Sequence, residues 1–202
     1  MTNIIELLRE EHRDIEELLV VLEDELSVFD RQEQPDYEVI QAVISYFQDY
    51  PDYCHHPKED MIFDKLKARD PAAAESIGDF EAEHRDEAER LQRVAEIVRS
   101  ILLDYDMPRQ TFDNIILDFI RHQRQHMAME ERVLFPAATK ALRPEDWADI
   151  ESRWGQRKDT LFNVAIEERC QSLRERVLQW ERKNQENRNL NRPQSPRMSH
   201  PC

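Results

Sequence analysis

Five histidines fall where a helical bundle would aim them at a common point. His12 stands near the start of the chain, His55 and His56 in its second quarter, His84 near the middle and His126 beyond it. His55 and His56 are followed one helical turn later by Glu59 and Asp60, and His126 by Glu130. Residues i and i+4 share a helix face, about 6 Å apart along the axis, so each pair can address one ion. Imidazole with carboxylate suits iron, manganese or zinc, whereas copper(I) or an iron–sulfur cluster calls for thiolate. These five imidazoles with Glu59 and Glu130 exceed what one tetrahedral zinc takes. Two ions, with a carboxylate oxygen on each and one or two open positions, fit the donor set better. Helical bundles with inward His and Glu build such di-iron or di-manganese centres.

Four long helical stretches would have to position these groups. The first runs from Asn3, as N-cap, to Phe29, with an apolar stripe of Ile5, Leu8, Ile15, Leu19, Leu22 and Leu26 that also contains His12. A break at Arg31–Pro35 leads to a second stretch, Tyr37–Leu66, with Val39, Val43, Phe47 and Tyr50 inward. Pro51 and Pro57 each remove a backbone donor, which predicts a bend or local unwinding beside the histidine pair. The third stretch is expected over Ala72–Tyr105, weakened at Gly78, with Ile77, Phe80, His84, Ala88, Leu91, Ala95, Val98 and Leu102 on one face. Pro108 opens the fourth, where Phe112, Ile115 and Phe119 give way to His122 or Gln123, then His126, Glu130 and Val133. Polar groups replacing apolar ones along an inner face require a buried partner. Glu131, rotated about 100° from Glu130, is expected to contribute little. Replacing His12 by Leu is expected to restore its stripe and stabilise the metal-free chain.

Beyond Pro136 the pattern shortens to two candidate helices, Pro144–Trp154 and Thr160–Trp180. From residue 183 the text is rich in Asn, Gln, Arg and Pro and reads as a disordered tail, in which His200 stands isolated. The expected division is therefore a bundle over 1–142, a helical extension over 143–182 and a tail over 183–202. Two glycines in 202 residues, with 35% charged residues, point to an all-α protein and away from Gly-rich nucleotide-binding folds. The net charge of −15 disfavours nucleic acid and anionic lipid as partners. No apolar run reaches the roughly 20 residues a bilayer span needs, the first residues lack a signal-peptide core, and three scattered cysteines make no disulfide framework. The expectation is a cytoplasmic protein.

Each feature also has an ordinary structural reading. A single inward histidine is usually a hydrogen-bonded core residue, and Glu59–Asp60 or Glu130–Glu131, flanked by Lys58 and Arg132, would serve as solvated charges. The concurrence argues otherwise: one inward histidine on each of four successive helices, with a carboxylate one turn on in two of them.

The segments that carry this pattern are EEHRDIEELL around His12, YPDYCHHPKEDMIFDKL (Tyr50–Leu66), FEAEHRDE around His84 and RQHMAMEERVLFPAA (Arg124–Ala138). Together they resemble the hemerythrin-like (HHE cation-binding) domain proteins of bacterial type, over about Met1–Ala141. The resemblance implies an up-down-up-down four-helix bundle around a non-haem, oxo-bridged di-iron centre that binds oxygen, nitric oxide or peroxide. It implies that His12, His55 and Glu59 hold one iron, that His56, His84, His126 and Glu130 hold the other, and that Glu59 and Glu130 bridge. The chain departs from the oxygen carriers at Ala88, where they have a second histidine after His84, and in the spacing of Glu130 from His126. Both departures favour sensing, iron handling or stress response over reversible oxygen carriage. The alternative reading is an enzyme, a low-turnover di-iron oxidase or peroxidase, or an iron donor for damaged metal centres. The sequence identifies no general acid, base or nucleophile outside the ligand set, and no protein partner.

Overall fold

The computed structural model describes residues 4–28, 34–103, 107–158 and 160–190, with the backbone alone for residues 81 and 187–190. Among them every regular element is helical and none is a strand. The elements are α1 (Ile4–Val28), α2 (Tyr37–Tyr50), α3 (His56–Arg69), α4 (Pro71–Ile77), α5 (Phe80–Leu102), α6 (Arg109–Met129), α7 (Phe135–Ala141), α8 (Pro144–Lys158) and α9 (Leu161–Leu190). A π-helical turn at Pro51–His55 joins α2 to α3, and a second at Glu130–Leu134 joins α6 to α7. The expected N-cap Asn3 and the residue Phe29 lie outside the described residues.

Local chemistry accounts for the helix starts. The Asp36 carboxylate accepts from the Glu38 and Val39 amides and begins α2. Asp70 does the same for α4 through the Ala73 amide, with Pro71 at the first helical position. The stretch expected as one helix over 72–105 is two. Gly78 takes the positive φ of 98° that closes α4, and Asp79 caps α5 through the Ala82 amide.

The local unwinding expected beside the prolines of the second stretch takes the form of a π turn. A proline ring clashes with the carbonyl four residues back and offers no N–H. Pro57 and Pro136 each follow a π turn by one residue, and the turns close with His56 N–H donating to the Pro51 carbonyl and Phe135 N–H to that of Glu130. Opening the turn preceding the proline relieves the conflict while keeping the helix continuous.

The bundle is formed by α1, by α2 with α3, by α5, and by α6 with α7, each packed on its neighbours in turn. His12 and His84 stand early in their helices and His55 and His126 late in theirs, yet all meet in one layer. Successive helices therefore run antiparallel. Two apolar clusters flank that layer. The larger contains Ile15, Leu22, Val43, Phe47, Val94 and Phe119. The smaller contains Leu8, Ile62, Phe80, Leu134 and Phe135.

The C-terminal helices complete both clusters. Ile150 of α8 enters the smaller one, and Arg69 grips Asp146 through two bonds of 2.8 and 2.9 Å. Cys170, Leu173 and Val177 of α9 enter the larger one against α1 and α2. Helix α9 continues to Leu190, past residue 183 where the tail was expected to begin. Residues 191–202, with His200 and Cys202, lie outside the described part.

Val177→Asp, which puts a carboxylate where the side chain is fully buried, is expected to cost about 3 kcal/mol or more. Truncation after Lys183 should leave the thermal midpoint unchanged, because Asn184–Glu186 add only peripheral contacts such as the exposed Gln185–Asp24 bond. Thermal denaturation of the two variants checks both expectations.

Candidate metal centre

All seven residues singled out by type and spacing meet in the layer between the two apolar clusters. Ligand-capable atoms of His12, His55, Glu59 and Glu130 lie within 4.8 Å of one another, as do those of His56, Glu59, His84 and His126. Glu59 belongs to both groups. It and Glu130 are fully buried, and the five histidines are buried or nearly so.

The carboxylates straddle the two groups. Glu59 Oε1 lies 3.1 Å from His55 Nε2 and 3.6 Å from His12 Nε2, while its Oε2 lies 3.6 Å from His84 Nε2. Glu130 Oε2 lies 3.2 Å from His12 Nε2 and its Oε1 2.9 Å from His126 Nε2. None of these four oxygens has a hydrogen-bond partner of good geometry among the described residues, and the same holds for Nε2 of His12, His84 and His126. So many orphaned polar atoms, all aimed at two points, mark a place for cations.

The outward ring nitrogens are held by carboxylates. His55 Nδ1 donates to Glu11 over 2.8 Å, and His12 Nδ1 to Glu131 over 2.9 Å. A carboxylate can only accept, so Nδ1 carries the proton and Nε2 keeps its lone pair for a metal. Looser pairs set His84 against Asp60 at 3.4 Å and His56 against Asp52 at 3.6 Å. Nδ1 of His126 has no such partner among the described residues. Glu11 is fixed by Lys58, whose ammonium donates to it over 2.6 Å and to the Cys54 carbonyl. That buried ammonium sits 4.4 Å from the Trp154 ring of α8, so the extension closes this side of the site.

Protonation in the metal-free site follows from this crowding. Burial pushes the His12 imidazole down, but the facing Glu130 and Glu59 carboxylates outweigh it and raise the group to about 10. Burial opposes protonation of His126 as well, and the Glu130 carboxylate lifts it to about 9. Burial raises Glu59, and the facing His55, His12 and His84 imidazoles bring it well below the usual carboxylate range. Without a cation this crowding favours pairing of imidazolium with carboxylate across the layer.

Several members were not read from the sequence. Glu131 is half-exposed at the start of a π turn, yet it orients His12, so its expected irrelevance is corrected. Of the pair His122 or Gln123, Gln123 takes the inner face and donates to Glu87 over 2.5 Å. His122 joins neither ligand group. Glu87 and Glu11 were missed, although heptad spacing marks both. Phe80, His84, Glu87, Leu91, Val94 and Val98 repeat at steps of 4 and 3, and so do Ile4, Leu8, Glu11, Ile15 and Leu18. The face drawn through Ala88 and Ala95 is displaced by one residue. Val94 is buried, Ala95 only partly so, and Leu102 is exposed.

The family model for the hemerythrin HHE cation binding domain matches residues 3–138. No curated protein matches the chain, and no solved structure does.

The ion pairing reverses one expectation. His12→Leu strands Glu59 and Glu130 without their counter-charge, so it should destabilise the metal-free protein by about 3 kcal/mol instead of stabilising it. A raised histidine contributes stability fully below its unfolded value of about 6.5 and loses it as pH climbs through the folded value, about 10 for His12 and about 9 for His126. Glu59 is lowered, so its contribution is complete above about 4.5 and lost on acidification. The metal-free chain should thus melt highest between about pH 5 and 6.5 and progressively lower toward pH 9. Calorimetry across that range, with His12→Leu flattening the alkaline decline, tests it.

Proposed function

The chain belongs to the hemerythrin HHE cation-binding domain family, and on that premise we propose that its polar layer holds a non-haem di-iron centre. The centre binds oxygen, nitric oxide or a related small molecule, in sensing, iron handling or stress response. The observation that carries the reading is the straddling of Glu59 and Glu130, each offering one oxygen toward His12 and the other toward the opposite group. In this reading His12 and His55 would hold one ion, His56, His84 and His126 the other, and the two carboxylates would serve both. Iron, when bound, supplies redox-active positions at which a small ligand can coordinate.

The chain's own contribution is to fix the donors and keep the layer dry. Glu11 and Glu131 set the tautomers of His55 and His12, while Asp52 and Asp60 stand as looser partners of His56 and His84. Phe135 stacks on His12 with centroids 5.7 Å apart, and Phe80 meets His84 edge-on at 4.5 Å. These rings close the layer on the side of the smaller apolar cluster. No described helix is long and apolar enough to cross a membrane. Cys54 and Cys170 are buried free thiols, which supports placing the protein in the reducing cytoplasm.

Protein expressed with iron should hold close to two irons per chain, with charge-transfer absorption that shifts on adding azide, peroxide or nitric oxide. Saturation at one ion, or a spectrum indifferent to all three, contradicts the proposal. Glu130→Ala should lower occupancy of both irons, because a bridge serves both. Glu131→Ala should weaken retention by about tenfold through the lost orientation of His12. Metal analysis of the two variants separates a bridging role from an orienting one.

A further inference from the structure

We propose that Glu87 is a further protein ligand of the ion held by His56, His84 and His126, and that it occupies the position an incoming small ligand must take. The inference rests on the di-iron reading above and adds to it an eighth protein ligand.

Glu87 stands on α5 at the i+3 position from His84 and is 4% exposed. Its Oε2 lies 3.4 Å from His56 Nε2 and 3.6 Å from His126 Nε2. That oxygen has no hydrogen-bond partner of good geometry among the described residues. Its other oxygen accepts from Gln123 Nε2 over 2.5 Å, which fixes the carboxylate's orientation. The separations from the two imidazoles are longer than charge-assisted hydrogen bonds of about 2.7–2.9 Å. They approach the spacing of neighbouring donors on one ion, about 3.0–3.4 Å when each bond is about 2.1 Å. A buried carboxylate oxygen without a donor is costly, and a shared cation would satisfy it together with both Nε2 atoms.

The surroundings explain why this carboxylate matters. Position 88, one residue on, carries only the methyl group of an alanine, and a surface pocket of about 170 Å³ opens there. His56 and Glu87 line it, and the exposed Gln48, Asp52 and Gln92 stand around it. A small molecule entering by this pocket meets Glu87 at the ion. With three imidazoles, the Glu59 and Glu130 bridges and Glu87, that ion has six protein donors. An incoming anion or diatomic must then displace the Glu87 oxygen, whereas the ion between His12 and His55 has four protein donors.

The test uses the full-length, iron-loaded protein beside Glu87→Gln and Glu87→Ala. Three quantities are read: iron release to a chelator, azide affinity from the optical titration, and the melting temperature of the metal-free forms. Release of one of the two irons should accelerate about tenfold while the other keeps the wild-type rate. Azide should bind about tenfold more tightly to both variants. Metal-free Glu87→Gln should melt lower than the metal-free wild type, because the substitution removes the carboxylate that faces His56 and His126. A wild-type protein holding two irons whose release and azide affinity neither substitution changes overturns this inference alone. Equal acceleration of both irons would show a packing role and overturn it as well. A wild-type chain that takes up no pair of irons overturns the underlying di-iron reading, and this one with it.

Discussion

Five imidazoles and two fully buried carboxylates occupy one layer of an otherwise apolar bundle, and the rest of the structure is arranged around that burden. In the helix interiors Leu8 and Ile15 bracket His12, Phe47 and Ile62 bracket the His55–Glu59 turn, and Phe119 and Leu134 bracket His126 and Glu130. Apolar packing above and below excludes water, which makes the unmet polar groups more costly and any cation that meets them correspondingly more stabilising. The same low-dielectric setting strengthens imidazolium–carboxylate pairing in the metal-free state. Metal binding and proton binding are thus alternative solutions to one problem, and they compete for the same Nε2 atoms.

Precision in that layer comes from outside it. Each π turn sits where a proline would otherwise clash with the preceding turn, and each also falls on the ligand residues, with His55 ending one and Glu130 beginning the other. A widened turn rotates the following side chains relative to an ideal α-helix. Around the ligands, Glu11 is fixed by a buried lysine that packs on Trp154 of α8. The C-terminal helices therefore support the centre in two ways: α8 through this contact, and α9 by completing the larger core cluster with Cys170, Leu173 and Val177.

The two ends of the site differ in a manner that bears on ligand entry. Beside His12 the rings of His55 and Phe135 leave a packed wall, with centroid distances of 5.0 and 5.7 Å. Beside His56 the short side chain of Ala88 leaves a pocket, with the Glu87 carboxylate at its inner end. The short side chain at position 88 therefore adjoins a buried acid at 87, three residues from His84 on the same helix face.

The all-helical class, the four long segments and the seven converging residues were legible in the sequence, because they rest on local quantities. Near-absence of glycine, apolar groups at helical spacing, and His followed by Glu at i+4 each act within one helix. Which helix face turns inward is a finer matter. On α5 the face through Ala88 and the face through Glu87 differ by one residue, and only packing of Val94, in place of Ala95, against the neighbouring helices selects the second. Glu11 and Glu131 reach His55 and His12 across 44 and 119 residues of sequence, so no spacing along the chain could pair them. The sequence by itself determined that polar donors would lie inside a helical bundle. The tertiary structure decided which carboxylates orient the imidazoles, which acid faces the pocket and which oxygens straddle the two groups, because those depend on helix register and crossing.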